Sequence, residues 1–161
     1  MATRIMIIND DQDILDLYEA ILNEEGYDVI TSKLAFEHPA AVEMRRPNLV
    51  MLDLKFGTQL EGWKMMQKLR LYRPTAELPI IICTAAVREA REQEDHLRSE
   101  GIGIVYKPFA IDHLLLAVRQ TLAVAEAIQA AQAAQAAQAG ASRRDQGVPV
   151  PANSPKGTES K

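Results

Sequence analysis

Four short apolar runs in this chain each end on a residue that can do chemistry. Ile5 to Ile8 leads into Asn9-Asp10-Asp11, Leu49 to Leu52 into Asp53, Ile80 to Cys83 into Thr84, and Ile102 to Tyr106 into Lys107-Pro108. Longer segments of helical periodicity separate them, and that alternation is the signature of βαβ units and a parallel sheet. Open parallel sheets place ligands at the carboxyl ends of their strands. A carboxylate cluster, a hydroxyl and a lysine are therefore expected at one edge of an α/β fold: a doubly wound five-stranded parallel sheet in the simplest order, 2-1-3-4-5, with an extended C-terminal helix.

The first strand is expected over 4–9, and a helix from Asp11 to Glu25 with Ile14, Leu17, Tyr18, Ile21 and Leu22 on its buried face, stopped by Gly26. Val29 to Thr31 opens the second unit. A second helix runs from Phe36 to Arg45, with Pro39 near its start, where a missing N–H costs little, and Pro47 beyond its end. Leu49 to Asp53 forms the third strand. After a loop around Gly57 and Gly62, a third helix passes through Met65, Met66, Leu69 and Leu71, and Pro79 opens the fourth strand. The fourth helix, Val87 to Glu100, is mostly charged and has few apolar anchors: Val87, Ala90 and Leu97. Weak burial makes it the most easily displaced element. The last helix shows apolar stripes through 111, 115, 118, 122 and 125 and through Leu114, Thr121, Val124 and Ile128, which suggests two buried faces.

That helix runs into Ala pairs separated by Gln129, Gln132, Gln135 and Gln138, and alanine's helix propensity is expected to carry it toward Gly140. A three-residue glutamine spacing spirals around a 3.6-residue helix, which disfavours a long coiled coil. The organisation expected is a domain over 1–123, an Ala/Gln-rich helical extension over 124–140 and, from its prolines, glycines and scattered polar residues, a disordered tail over 141–161.

The chain has 161 residues, 47% of them hydrophobic, and a net charge of −4. Apolar content suffices for one core, and the charge offers no basic footprint for nucleic acid or anionic lipid. The lone Cys83 lies in an apolar run, so a core role and a reducing compartment are expected. No span is expected to approach the roughly 18 apolar residues of a membrane helix, and a soluble cytoplasmic protein follows. Trp63 reads as a packing residue. His38, His96 and His113 lack a metal-ligand spacing.

Asp10 and Asp53 end neighbouring strands, and two carboxylates so close repel each other or recruit a cation. Hard oxygen donors suit Mg²⁺. With Thr84 and Lys107 as donors for an anionic group, the set is a device for making and holding an acyl phosphate, in which Asp53 attacks phosphorus.

Together Asn9-Asp10-Asp11, Asp53 in Leu49-Val50-Met51-Leu52-Asp53-Leu54, Pro79-Ile80-Ile81-Ile82-Cys83-Thr84-Ala85 and Lys107-Pro108-Phe109 resemble bacterial response-regulator receiver domains over residues 3 to 123. The resemblance implies a flavodoxin-like fold and Asp53 as phosphoacceptor for a histidine kinase or phosphotransfer protein. It also implies Lys107 and Thr84 as phosphoryl partners and a cis Lys107-Pro108 peptide. Mg²⁺ would be held by Asp10, Asp53, the backbone carbonyl of Lys55 and, through water, Asn9. Asn9 replaces a carboxylate, which drops one negative charge and is expected to weaken Mg²⁺ binding; Asp11 is a candidate to compensate.

Other departures concern the loop and the readout. Gly57 stands where the family usually has proline, Gly62 falls one residue late, and the Lys55 side chain either faces solvent or reaches the phosphoryl group. The family's switch aromatic falls on Ile104, while Tyr106, beside Lys107, is expected to point the other way. The signal would then be read by Ile104 or by the fourth helix itself.

Output is expected through protein contacts of the fourth helix, fifth strand and fifth helix, with a homodimer as one form. The expectation is a stand-alone receiver without direct DNA binding or membrane association, and no enzyme beyond autocatalytic phosphorylation and self-dephosphorylation. The alternative is a degenerate receiver acting as a phosphorylation-independent scaffold. A haloacid-dehalogenase-type phosphatase needs a second aspartate where Lys55 stands, and a flavodoxin's flavin phosphate would be repelled by Asn9-Asp10-Asp11.

Overall fold

The apolar runs pair as their composition requires. In the computed structural model, which describes residues 2–33, 38–54 and 61–145, β1 (Arg4–Ile8), β2 (Asp28–Ser32), β3 (Leu49–Leu52), β4 (Ile80–Thr84) and β5 (Gly103–Tyr106) form one sheet. All pairings are parallel, in the order β2-β1-β3-β4-β5, which is the flavodoxin-like topology expected. Strand alternation divides the core in two. Ile5, Ile7, Met51 and Ile81 face one side, where α1 (Gln12–Glu24) and α6 (Ile111–Asp145) contribute Leu15, Tyr18, Leu22, Leu114 and Val118. Met6, Ile8, Leu52 and Ile82 face the other, covered by α2 (Ala40–Glu43), α3 (Glu61–Leu71), α4 (Val87–Glu92) and α5 (Glu94–Ser99). The central strands are buried on both faces, and each enclosed Ile, Leu or Met contributes about 1.5–3 kcal/mol relative to exposure.

Several helical details depart from expectation. In α1 the buried side chains are Leu15, Tyr18 and Leu22, while Leu17 is 54% exposed. Leu17 sits one helical step off the Tyr18 direction, so the phase set by 15, 18 and 22 turns it to solvent. The fourth helix is interrupted at Gln93 into α4 and α5. Ala90 and Leu97 are its fully buried anchors, and their seven-residue spacing brings both onto the sheet across the break. The α2 helix spans only Ala40–Glu43, and Phe36, its expected start, lies outside the described residues. Leu71, expected on the core face of α3, is exposed at its last residue.

On α6 one stripe is buried rather than two. Leu114, Leu115, Val118 and Thr121 pack inward, whereas Ile111, Val124 and Ile128 are about half exposed. The helix runs past Gly140 to Asp145, since a single glycine costs only about 1 kcal/mol in an alanine-rich run. The stretch Ile111–Ala141 is, by length and composition, long and apolar enough to cross a membrane, which overturns the expectation that no such span exists. The chain divides into two units, Met1–Ala127 and Ile128–Lys161. In the second, every described side chain through Ala141 is exposed. From 146 on, the expected tail lies outside the described residues.

Candidate functional site at the strand ends

Each predicted residue that the structure describes stands where its strand stops. Asn9 follows β1 and is buried; its backbone N–H donates to the Ser32 carbonyl at 3.1 Å and its Oδ1 accepts the Asp11 N–H at 2.9 Å. That second bond is a local turn of the kind Asn favours, and it shapes the chain on either side of Asp10, whose residue is exposed. Asp11 is the N-cap of α1, its Oδ1 accepting from Asp13 N–H at 2.9 Å and Ile14 N–H at 3.4 Å. Its carboxylate is therefore committed to the helix start, and using it to replace the charge missing at Asn9 would cost the cap.

Asp53 follows β3, tied to β1 by its N–H donating to the Ile8 carbonyl at 3.4 Å. Its Oδ2 meets Lys107 Nζ at 2.9 Å, with the two side chains only 13% and 17% exposed. Lys107, expected as a donor to a phosphoryl oxygen, thus reaches the Asp53 carboxylate from the end of β5. Thr84 is fully buried at the end of β4; its Oγ1 accepts the Ala86 N–H at 3.0 Å and its carbonyl accepts the Lys107 N–H at 2.9 Å. The Lys107-Pro108 peptide is cis. Asp53, Thr84 and Lys107 are therefore linked, directly or through backbone, and Lys55 lies outside the described residues.

Two further groups border the site. Tyr18 packs against Phe109 with ring centroids 5.8 Å apart. Burial first, then the Cys83 thiol and the Asp53 carboxylate, push its phenol well above the ordinary range. Burial likewise raises the Cys83 thiol to about 12. Both are neutral hydroxyl or thiol groups at any physiological pH.

Sequence reasoning undervalued two residues. Gly62, buried in the first turn of α3, leaves no room for a side chain: a methyl group there would collide with the Asp53 carbonyl oxygen and lie 2.7 Å from its carbon and 2.9 Å from Leu54 Cα. The signal in the sequence is a glycine at a helix start after the Asp53 loop. Tyr106 does not point away from the switch position as expected: it lies on the same sheet face as Ile104, packed with it against the α3–α5 core. Parity alone places residues 104 and 106 together.

The donors fit a hard divalent cation in kind. Asp10 and Asp53 supply carboxylates and Asn9 a neutral oxygen with one lone pair beyond its turn bond, the oxygen set Mg²⁺ prefers. Among the described residues no three His, Cys, Asp or Glu side chains gather to hold a metal by themselves.

Comparison with known proteins gives the same picture. Residues 5–119 match the family described as the response regulator receiver domain. The chain is 31% identical over 125 residues to the DNA-binding dual master transcriptional regulator RpaA of Synechocystis sp., covering 78% of this chain and 51% of that protein. To the nitrogen assimilation regulatory protein NtrX of Azorhizobium caulinodans it is 28% identical over 123 residues, covering 76% and 26%. Among solved structures, a CheY-like receiver domain protein of Methanospirillum hungatei superposes with a TM-score of 0.66 at 29% identity, covering 78% of this chain and 98% of that one. The chain spans about half or a quarter of the length of these curated relatives. With a match running through 5–119 and the strand-end cluster built as described, the chain belongs to the response-regulator receiver family of two-component signalling.

Proposed function

We propose that this receiver accepts a phosphoryl group on Asp53 from the phosphohistidine of a histidine kinase or phosphotransfer protein. The observation that carries the reading is the Asp53–Lys107 contact at 2.9 Å beside the buried Thr84 hydroxyl. An Asp53 oxygen attacks phosphorus, the P–N bond of the donor breaks, and its electron pair leaves with the imidazole. Lys107 passes from the carboxylate to a phosphoryl oxygen, and the Thr84 hydroxyl donates to another. What a magnesium ion supplies at such a site is neutralisation of the charge spread over the phosphoryl oxygens, and Asp10, Asp53 and Asn9 are the described residues that would hold it. The loss of one carboxylate at Asn9 makes that binding weaker than a site with three acids.

Output passes to a downstream protein through α4–α5, β5 and α6. Support comes from a groove lined by Arg98, Ile104, Tyr106, His113, Leu116 and Ala117. The reading is cytoplasmic, because the first half of the apolar helix buries Leu114 and Val118 against the sheet. The exposed remainder, at about 1.5 Å per residue, reaches only some 21 Å and carries a glutamine at every third position.

The test is intact-mass analysis after treatment with a small phosphodonor and Mg²⁺. Wild type gains one phosphoryl group and Asp53→Asn gains none. An equal gain in both removes Asp53 from the role, and no gain in either favours a scaffold that works without phosphorylation.

A further inference from the structure

We propose that this chain associates head to tail with a second copy of itself, the acidic face of α1 on one molecule docking against a basic corner formed by the ends of α2 and α3 on the next. The contact is independent of the reading of Asp53 as phosphoacceptor, and it shares no residue with the groove beside β5.

Outside α6, the exposed large apolar side chains among the described residues are Leu17, Met44 and Leu71, at 54%, 83% and 87% exposure. Leu17 stands on α1, a helix that carries Asp13, Asp16, Glu19 and Glu24 and no Lys or Arg. The exposed positions 13, 16, 17, 20 and 24 follow helical spacing, so the leucine is set in a stripe of carboxylates facing solvent. Met44 and Leu71 stand at the ends of α2 and α3, and one hydrogen bond ties those ends together: the Tyr72 hydroxyl donates to Glu43 Oε2 at 2.8 Å. The His38 ring meets the Tyr72 ring edge-on, with centroids 5.4 Å apart. Exposed Arg45, Arg46, Lys68 and Arg73 lie within three residues of these two apolar side chains, and Glu43 is the one acid in the segments 43–46 and 68–73. Arg46 holds φ 50°, a left-handed conformation that glycine adopts at lower cost, so an arginine is kept there against local strain.

Each face carries what the other lacks: an exposed leucine among carboxylates on one, exposed methionine and leucine among arginines on the other. The two cannot meet within one molecule, because α1 packs on the Ile5 and Ile7 side of the sheet and α2 and α3 on the Met6 and Ile8 side. The partner that matches either face is therefore another copy. A contact between unlike surfaces leaves one of each open at the ends, so it repeats as copies are added. The thirteen residues of α1 span only about 20 Å. That places the contact at the small end of specific interfaces, where association is weak and opposite charges set its orientation.

Sedimentation velocity of the full, unphosphorylated chain tests this. The weight-average mass rises with protein concentration at low salt, and the association constant falls about tenfold between about 50 and about 500 mM salt. Arg46→Glu/Arg73→Glu, in the corner, and Asp16→Lys/Glu24→Lys, on the helix, are each monomeric. Their one-to-one mixture associates again, because each supplies the face that the other has lost. Leu17→Ser, at a side chain the fold leaves exposed, weakens association by about tenfold, the effect of one lost apolar contact, while Leu116→Ser in the groove beside β5 leaves it unchanged. A wild type that stays monomeric overturns the proposal, as does association that persists in either charge-reversed variant, or a mixture that fails to associate while both variants keep the wild-type urea midpoint. Should a charge-reversed variant fail to fold, undiminished association of Leu17→Ser overturns the proposal by itself. Loss of association in Leu116→Ser with its retention in Leu17→Ser moves the contact to the groove and overturns it too. A monomeric wild type that binds vesicles of phosphatidylserine and phosphatidylcholine, with binding lost in Arg46→Glu/Arg73→Glu, assigns the corner to an anionic lipid surface instead.

Discussion

At the scale of single residues, the pocket depends on groups chosen for what they leave out. Gly62 admits no Cβ because the Asp53 backbone occupies that space, and backbone atoms cannot rotate aside as a flexible side chain would. Gly62→Ala is therefore expected to cost about 1–3 kcal/mol in urea unfolding, in the range of overpacking, and to lower phosphoryl uptake at Asp53; unchanged uptake would show that α3 does not position the nucleophile. Cys83 illustrates the opposite case, a polarizable side chain held neutral. Its thiol is raised by burial from 9.0 to about 12, so the folded state keeps a proton that the unfolded chain loses. Stability from this group is full below pH 9 and falls as pH rises toward 12. Urea midpoints of wild type and Cys83→Ala, compared from pH 8 to pH 11, should show the wild-type advantage shrinking above pH 9; a constant difference would mean that the thiol titrates normally in the fold.

At the scale of elements, helix ends and phases decide more than composition does. The α1 helix starts on the Asp11 side chain, which satisfies two N–H groups. Asp11→Ala is expected to cost about 1 kcal/mol by chemical denaturation, while Asp11→Ser retains most of the cap; equal losses in both would assign the effect to charge instead. The strands were legible in the sequence because a central parallel strand must be apolar throughout, as Ile5 to Ile8 and Ile80 to Cys83 are, and because their ends carry residues such as Asp53 and Lys107 that a core would not tolerate unpaired. The helices were less so. Leu17 and Val124 fit an apolar pattern, yet lie far enough around their helices to face solvent. The break at Gln93 has no proline or glycine to announce it. The contact of Tyr106 with Glu94 and Arg91 joins strand to helix in three dimensions, and spacing along the chain gives no sign of it.

At the scale of the whole molecule, the long α6 belongs to two units with different physics. Up to Thr121 the helix is held by burial of Leu114, Leu115 and Val118 against the sheet, and Gly103 makes room for it, since a Cβ there would lie 2.8 Å from Thr121 Oγ1. Beyond Ala127 every described side chain through Ala141 is exposed. Helix there must come from alanine's intrinsic propensity and from continuing a helix already nucleated, which removes the costly first turn. Such a segment adds helical signal without adding core. A chain ending after Ala127 should therefore unfold in urea within about 0.5 kcal/mol of the full protein, as expected for changes that touch only solvated surface. Its helical ellipticity at 222 nm per mole of chain, rather than per residue, should fall, because the residues removed include a helical run reaching Asp145. Phosphoryl uptake at Asp53 should be unchanged, since every described group around the carboxylate lies before residue 128. A loss of stability well beyond that range would mean that the Ala/Gln stretch packs on something in solution, and the exposed Val124 and Ile128 would be the first residues to substitute in finding it.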